Sequence, residues 1–139
     1  MPYKDPKMQK RRQLEIQRNV PGFLVAKWRF MRLRTEGRCC QAPKYFKGKE
    51  VMPREDFIEW SRNHPVFILL HLQWEQSNYN PLLTPVPDRL NSKFGYIAGN
   101  IEWVTKQEND RRARQKMKEN RIAKINVRAA KAARSHTHH

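Results

Sequence analysis

The sequence predicts an α+β fold, mostly helical, with one β-hairpin that runs directly into a long helix. Three observations predict it. Apolar residues recur at helical spacing through residues 23–34 and 53–77. The stretch NIEWVT, residues 100–105, alternates apolar and polar side chains as a half-buried strand does. The stretch TKQE, residues 105–108, has the form of a capping box, in which Thr105 accepts from the backbone N–H three residues on and Glu108 reaches back. With 139 residues the chain is long enough for one domain of ordinary size.

Taken in order, residues 3–19 are polar and able to form a basic helix, which VPG at residues 20–22 is expected to interrupt. Residues 23–34 place apolar side chains at 23, 24, 28, 31 and 33 with Lys and Arg between them, a helix with one buried and one cationic face. Gly37, Pro43 and Gly48 punctuate a loop. Its adjacent cysteines, Cys39 and Cys40, are expected to be reduced structural thiols, because neighbouring residues rarely bridge and no second pair offers a metal site. Residues 53–63 start on a proline followed by acids, as a helix N-terminus does. Phe57, Ile58 and Trp60 are expected to face inward there. Residues 65–77 read as a second, more buried helix, with Leu69, Leu72 and Trp74 packing near Phe57 and Trp60. A Pro-rich extended connection follows at residues 78–87. VPDRL, residues 86–90, is a short strand, and NSKFGY, residues 91–96, supplies turn residues. Trp103 is expected in the core beneath the hairpin. The helix starting at Lys106 is expected to run to about residue 133, solvated over its last half.

Charge divides the chain in three. The whole carries 29 Lys and Arg against 13 Asp and Glu, net +16. Residues 1–34 and 106–139 each carry +8, while residues 35–105 are neutral. Two cationic arms on a neutral body suit a long linear polyanion better than an acidic protein patch. The domain reading follows: a basic N-terminal arm over 1–34, a core with a helical lead-in over 35–110, and a basic helix with a disordered tail over 111–139. The longest apolar run, VFILL, is too short to span a bilayer. The charged N-terminus lacks an apolar leader, so a cytoplasmic location is the expectation.

Within the hairpin, Asp88 and Arg89 fall on the first strand, Asn100 at the start of the second, and Asn109 one turn into the helix. Asp88 and Asn109 offer hard oxygen ligands, suited to Mg²⁺ or Mn²⁺ with water and phosphate oxygens completing the shell. The Asn100 amide suits a brace between loop and strand.

These residues carry a resemblance. The segment GYIAGNIEWVTKQEN, with PDRL before it, resembles the ββα-metal core of HNH-family endonucleases, in particular the small phage-type homing endonucleases. The likeness covers residues 50–110 well and 23–50 loosely. It implies a divalent-metal-dependent DNA endonuclease acting as a monomer on double-stranded DNA, nicking one strand through a single Mg²⁺ or Mn²⁺, with no small-molecule substrate and no membrane partner. It implies Asp88 and Asn109 as metal ligands and Asn100 as the loop brace. Arg89 falls where the family's general-base histidine stands, and arginine cannot take a proton from water. Pro87 and Asn91 also differ from the family pattern. Arg89 could instead grip a phosphate. Of the histidines, His71 is the reserve candidate for a base, and its plainer role is a core-edge ring bonded to backbone. His64 reads as a cap or a surface residue, and His136, His138 and His139 as tail. Arg29, Arg32, Arg34, Arg89, Lys93, Lys106, Arg111, Arg112 and Arg114 are the expected DNA contacts. The competing classes are a catalytically degenerate HNH scaffold that binds DNA or RNA without cutting, and a basic ribosome-associated structural protein.

Overall fold

The structure, a computed structural model, describes residues 5–38 and 46–136. Cys39, Cys40, His138 and His139 lie outside the described residues. The fold is predominantly helical with one small antiparallel sheet.

Helix α1 (Pro6–Arg18) is capped by Asp5, which accepts from the Lys7 N–H at 3.1 Å, and buries none of its side chains. Helix α2 (Val20–Thr35) follows after one residue. The break falls at Asn19, not at VPG. Asn19 accepts from the Gly22 N–H at 3.0 Å, and Pro21 sits in the first turn, where its missing donor costs nothing. The corner is tight: a Cβ on Gly22 would stand 1.9 Å from the Ile16 carbonyl oxygen. Of the apolar set in α2, Phe23, Leu24 and Met31 are buried, Trp28 is half-buried and Leu33 is exposed.

Helix α3 (Arg54–Arg62) buries Phe57 and Ser61, with Ile58 and Trp60 partly covered. His64 caps helix α4 (Pro65–Gln76), its Nδ1 accepting from the Val66 N–H at 3.2 Å. The buried face of α4 is Phe67, His71 and Trp74. Leu69 and Leu72, expected inside, are 54% and 47% exposed. The helix is apolar on both faces, so its sequence could not say which one turns inward. The connection after α4 is not extended. Asn78 and Tyr79 take left-handed conformations (φ 60° and 62°), and a 3₁₀ turn follows at Pro81–Leu83. This folds the Tyr79 ring edge-on against Trp74 and beneath the Arg18 guanidinium, 4.1 Å from the ring centre.

Strands β1 (Pro85–Arg89) and β2 (Ile101–Thr105) pair antiparallel, Val86 opposite Val104, Pro87 opposite Trp103 and Asp88 opposite Glu102. A proline is tolerated in β1 because each strand of a two-stranded sheet has a free edge. Strand periodicity divides the side chains between two faces. Trp103 points into the core, 1% exposed, with Phe67, Phe57 and Phe23 at 4.6, 5.8 and 6.4 Å between ring centres. Its indole N–H donates to Ser61 Oγ at 3.2 Å. Asp88, Glu102 and Val104 share the opposite face, which helix α5 (Lys106–His136) covers with its first turns.

Thr105 caps α5, accepting from the Glu108 N–H at 3.1 Å. The reciprocal half of the expected box is not made, because the Glu108 carboxylate turns to Arg111 and Arg112. Beyond Arg112 every residue of α5 through Ser135 is exposed. Residues 113–135 carry eight basic side chains and one acidic. Among the described residues no helix is long and apolar enough to cross a membrane.

Candidate nucleic-acid and metal site on the hairpin

The hairpin loop is built around Asn100, which is buried. Its Oδ1 accepts from the Asn91 N–H at 2.9 Å, and its Nδ2 donates to the carbonyls of Asn91 (3.1 Å) and Gly95 (2.8 Å). One amide therefore satisfies both sides of the loop, which is the bracing geometry expected of it. The loop is also tied to the lead-in segment. Tyr96 and residues 50–52 exchange backbone bonds of 2.8 Å, and a Cβ on Gly95 would stand 1.9 Å from the Glu50 carbonyl oxygen. Only glycine allows that approach.

Arg89 is half-buried and its Nη1 donates to the carbonyls of Ser92 and Phe94, both at 3.0 Å. The guanidinium lies 4.4 Å from the Phe46 ring centre and 5.6 Å from that of Tyr96. Burial lowers its pKa from the ordinary arginine value, but a guanidinium remains a donor and not a base. Arg89 thus acts as a staple of the loop, with an aromatic platform beneath it, more than as a free phosphate clamp. Arg89→Ala is expected to cost about 2 kcal/mol, because two carbonyls lose a charged donor. Urea unfolding would read this, and an unchanged midpoint would show that water replaces the guanidinium without loss.

Asp88 is 28% exposed and stands beside its cross-strand neighbour Glu102. Arg112 reaches across from α5 to both, its Nη1 at 2.9 Å from Glu102 Oε2 and 3.4 Å from Asp88 Oδ2, while its Nε lies 3.5 Å from Glu108 Oε1. Hydrogen bonding to Glu102 raises the Arg112 pKa, and the Arg111 guanidinium lowers that of Glu108. Asn109 lies on the same helix face as Arg112, three residues earlier, and its side chain has no hydrogen-bond partner among the described residues. No hydrogen bond joins Asn109 to Asp88.

The resemblance calls for a divalent ion here. The donors fit in kind: a carboxylate and an amide oxygen, with Asn109 unengaged. Among the described residues no three His, Cys, Asp or Glu side chains are placed to hold an ion by themselves. Water and phosphate would therefore complete the shell, in competition with the Arg112 guanidinium beside Asp88 Oδ2.

His71 does not serve as a base as placed. It is buried against Phe23, Phe67 and Trp74, its Nε2 is 2.9 Å from the Arg18 carbonyl and its Nδ1 is 3.2 Å from Glu75 Oε1. Both nitrogens are turned to protein oxygens and the ring is buried, so neither is open to an attacking water.

The expected DNA contacts divide into committed and free cations. Arg32 pairs with Glu36, Arg34 donates to the Tyr96 hydroxyl, Lys106 pairs with Asp110, and Arg111 pairs with Glu108. The side chains of Arg29, Lys93 and Arg114 have no ion-pair partner among the described residues. Arg29 and Arg32 border a groove of about 420 Å³ with Trp28, Arg38 and Arg54. Sequence reasoning passed over Arg38, which pairs with Glu36, and Arg54, which pairs with Glu55; the approach of Arg54 to α2 is visible only in space. The chain matches no family model, no curated protein and no solved structure.

Proposed function

We propose that this protein binds double-stranded DNA with its basic helices and hydrolyses a phosphodiester at the hairpin, in the manner of an HNH-family endonuclease and with Mg²⁺ or Mn²⁺. One observation carries the reading: a β-hairpin braced by a buried Asn100 sets Asp88 on β1 and Asn109 in the first turn of the following helix, with the cationic helix α5 continuing from that turn.

Asp88 and Asn109 are the residues that would hold the ion, which when bound polarises the scissile phosphate and stabilises the leaving oxygen. Asn100 keeps the hairpin in shape. Arg89 fixes the loop and lends positive potential to the approaching backbone. Arg29 of α2 and Arg114 of α5 orient the duplex through phosphate contacts, which position without reading sequence. The hairpin carries no histidine to act as general base, a group typically worth about 10²–10⁴-fold, so the reaction is slow.

The second reading is a protein that binds without cutting. The commitment of Arg89 to loop carbonyls and of Arg112 to Asp88 favours it.

Supercoiled plasmid distinguishes the two. Open circles are expected with Mg²⁺ or Mn²⁺ and none in EDTA. Asp88→Ala and Asn109→Ala are each expected to lower the nicking rate by at least about 10²-fold, with DNA affinity within about twofold of wild type. Full nicking by Asn109→Ala would remove it from the metal site. No nicking with any divalent ion would leave the binding reading.

A further inference from the structure

Arg112 is placed differently from the other arginines of α5. Those beyond it project into solvent with no β-strand beside them, whereas its guanidinium is drawn back onto the hairpin. It touches a carboxylate on β1, one on β2 and one on its own helix. The contact with Glu102 is short and that with Asp88 is long, so Asp88 is held at the edge of the network. A planar guanidinium with five donors can reach more than one carboxylate at once. Two acids side by side on a strand pair repel each other, and a fixed cation relieves that repulsion in the free protein.

We infer that Arg112 is the resident cation of the hairpin: it offsets part of the charge of Asp88 and Glu102 in the free protein, and a divalent ion takes Asp88 by displacing it. The inference rests on the metal-dependent reading above. The displaced guanidinium keeps Glu102 and Glu108 as partners, so release of Asp88 does not strand a charge. The protein is then a poor metal binder until something offsets Arg112, and a DNA phosphate beside α5 has the charge to do so.

The test uses Mn²⁺ alone, without DNA, so that it is independent of cleavage. Free Mn²⁺ is read by electron paramagnetic resonance during titration of the full chain. Wild type is expected to bind weakly. Arg112→Gln is expected to bind at least about tenfold more tightly, since removing one adjacent positive charge favours a cation by roughly that factor. Arg112→Lys keeps the charge and is expected to stay near wild type. Asp88→Asn within the Arg112→Gln chain is expected to abolish the gain. A purely structural role would lower the melting temperature of Arg112→Gln and leave its Mn²⁺ affinity at the wild-type value, which overturns the inference. So does tight Mn²⁺ binding by wild type, or no binding by either chain. If Arg112→Gln fails to fold, wild type still decides. Added Mg²⁺ is expected to shift the Arg112 Nε–H resonance in wild type and not in Asp88→Asn. A resonance unmoved at saturating Mg²⁺ overturns the inference.

Discussion

Deleting residues 118–139 is expected to leave the fold intact and to weaken DNA binding by roughly two orders of magnitude near 0.1 M salt. The fold survives because α5 beyond Arg112 is exposed along its described length, so no core side chain loses a neighbour. The melting temperature should move by no more than a few degrees. Binding suffers because the deleted segment carries six Lys and Arg against one Glu. If the whole chain neutralises about six phosphates, log K falls with log salt at a slope near −5, and the truncated chain should approach −2. The weakening should be uniform across DNA sequences, since phosphate contacts carry no base information. Fluorescence anisotropy over a salt series, beside calorimetry of the free proteins, reads both effects. A slope left untouched would show that α5 is not a DNA arm. Loss of the folding transition would show that the exposed helix is part of the core.

Asn100→Ala is expected to destabilise the protein by about 2–4 kcal/mol. The substitution leaves one backbone N–H and two carbonyls without the side chain that satisfied them; only the bond to the Gly95 carbonyl is fully buried, and with water replacing part of the other two the loss stays near one or two buried groups at about 1–3 kcal/mol each. For a domain of this size that is on the order of 10 °C in melting temperature. Asn100→Asp keeps the acceptor for the Asn91 N–H but sets a buried carboxylate oxygen against two carbonyls, so it should cost at least as much as alanine. Nicking is expected to fall along with stability in both variants. The same loss of nicking in Asn109→Ala should come without loss of stability, because the Asn109 amide holds nothing in place. Equal melting temperatures for wild type and Asn100→Ala would show that the loop keeps its shape without the brace.

The two residues illustrate how differently a sequence exposes its working parts. Asn100 could be read because its partners are backbone atoms of its own hairpin, fixed by the turn and the strand register. Arg89 could be read only by what it is not. That it was no base followed from its chemistry, but its staple to Ser92 and Phe94 depends on a loop path that no spacing encodes. Arg112 appeared in the sequence as one more cation in a basic helix. Its partners are Asp88 and Glu102, brought together by strand pairing 14 positions apart, and only the packing of α5 on that face places it between them.

What the sequence determined by itself was local. The β-hairpin, the Thr105 cap, the helix starting at Lys106, the buried Trp103 and the division of charge all follow from periodicities and turn residues within a few positions of one another. What the tertiary structure decided was which of two equivalent surfaces each element uses. In α4, Phe67, His71 and Trp74 turn inward and Val66, Leu69 and Leu72 turn out, a choice made by the rings of Phe23 and Trp103 rather than by any pattern in α4. The end of α1 falls at Asn19 because its side chain can cap the next helix, and the chain turns there because Gly22 lets two backbones meet. The physical reason is common to these cases. Backbone preferences are short-ranged, whereas burial and ion pairing are settled by neighbours distant in sequence, and a long side chain such as arginine can reach more than one of them.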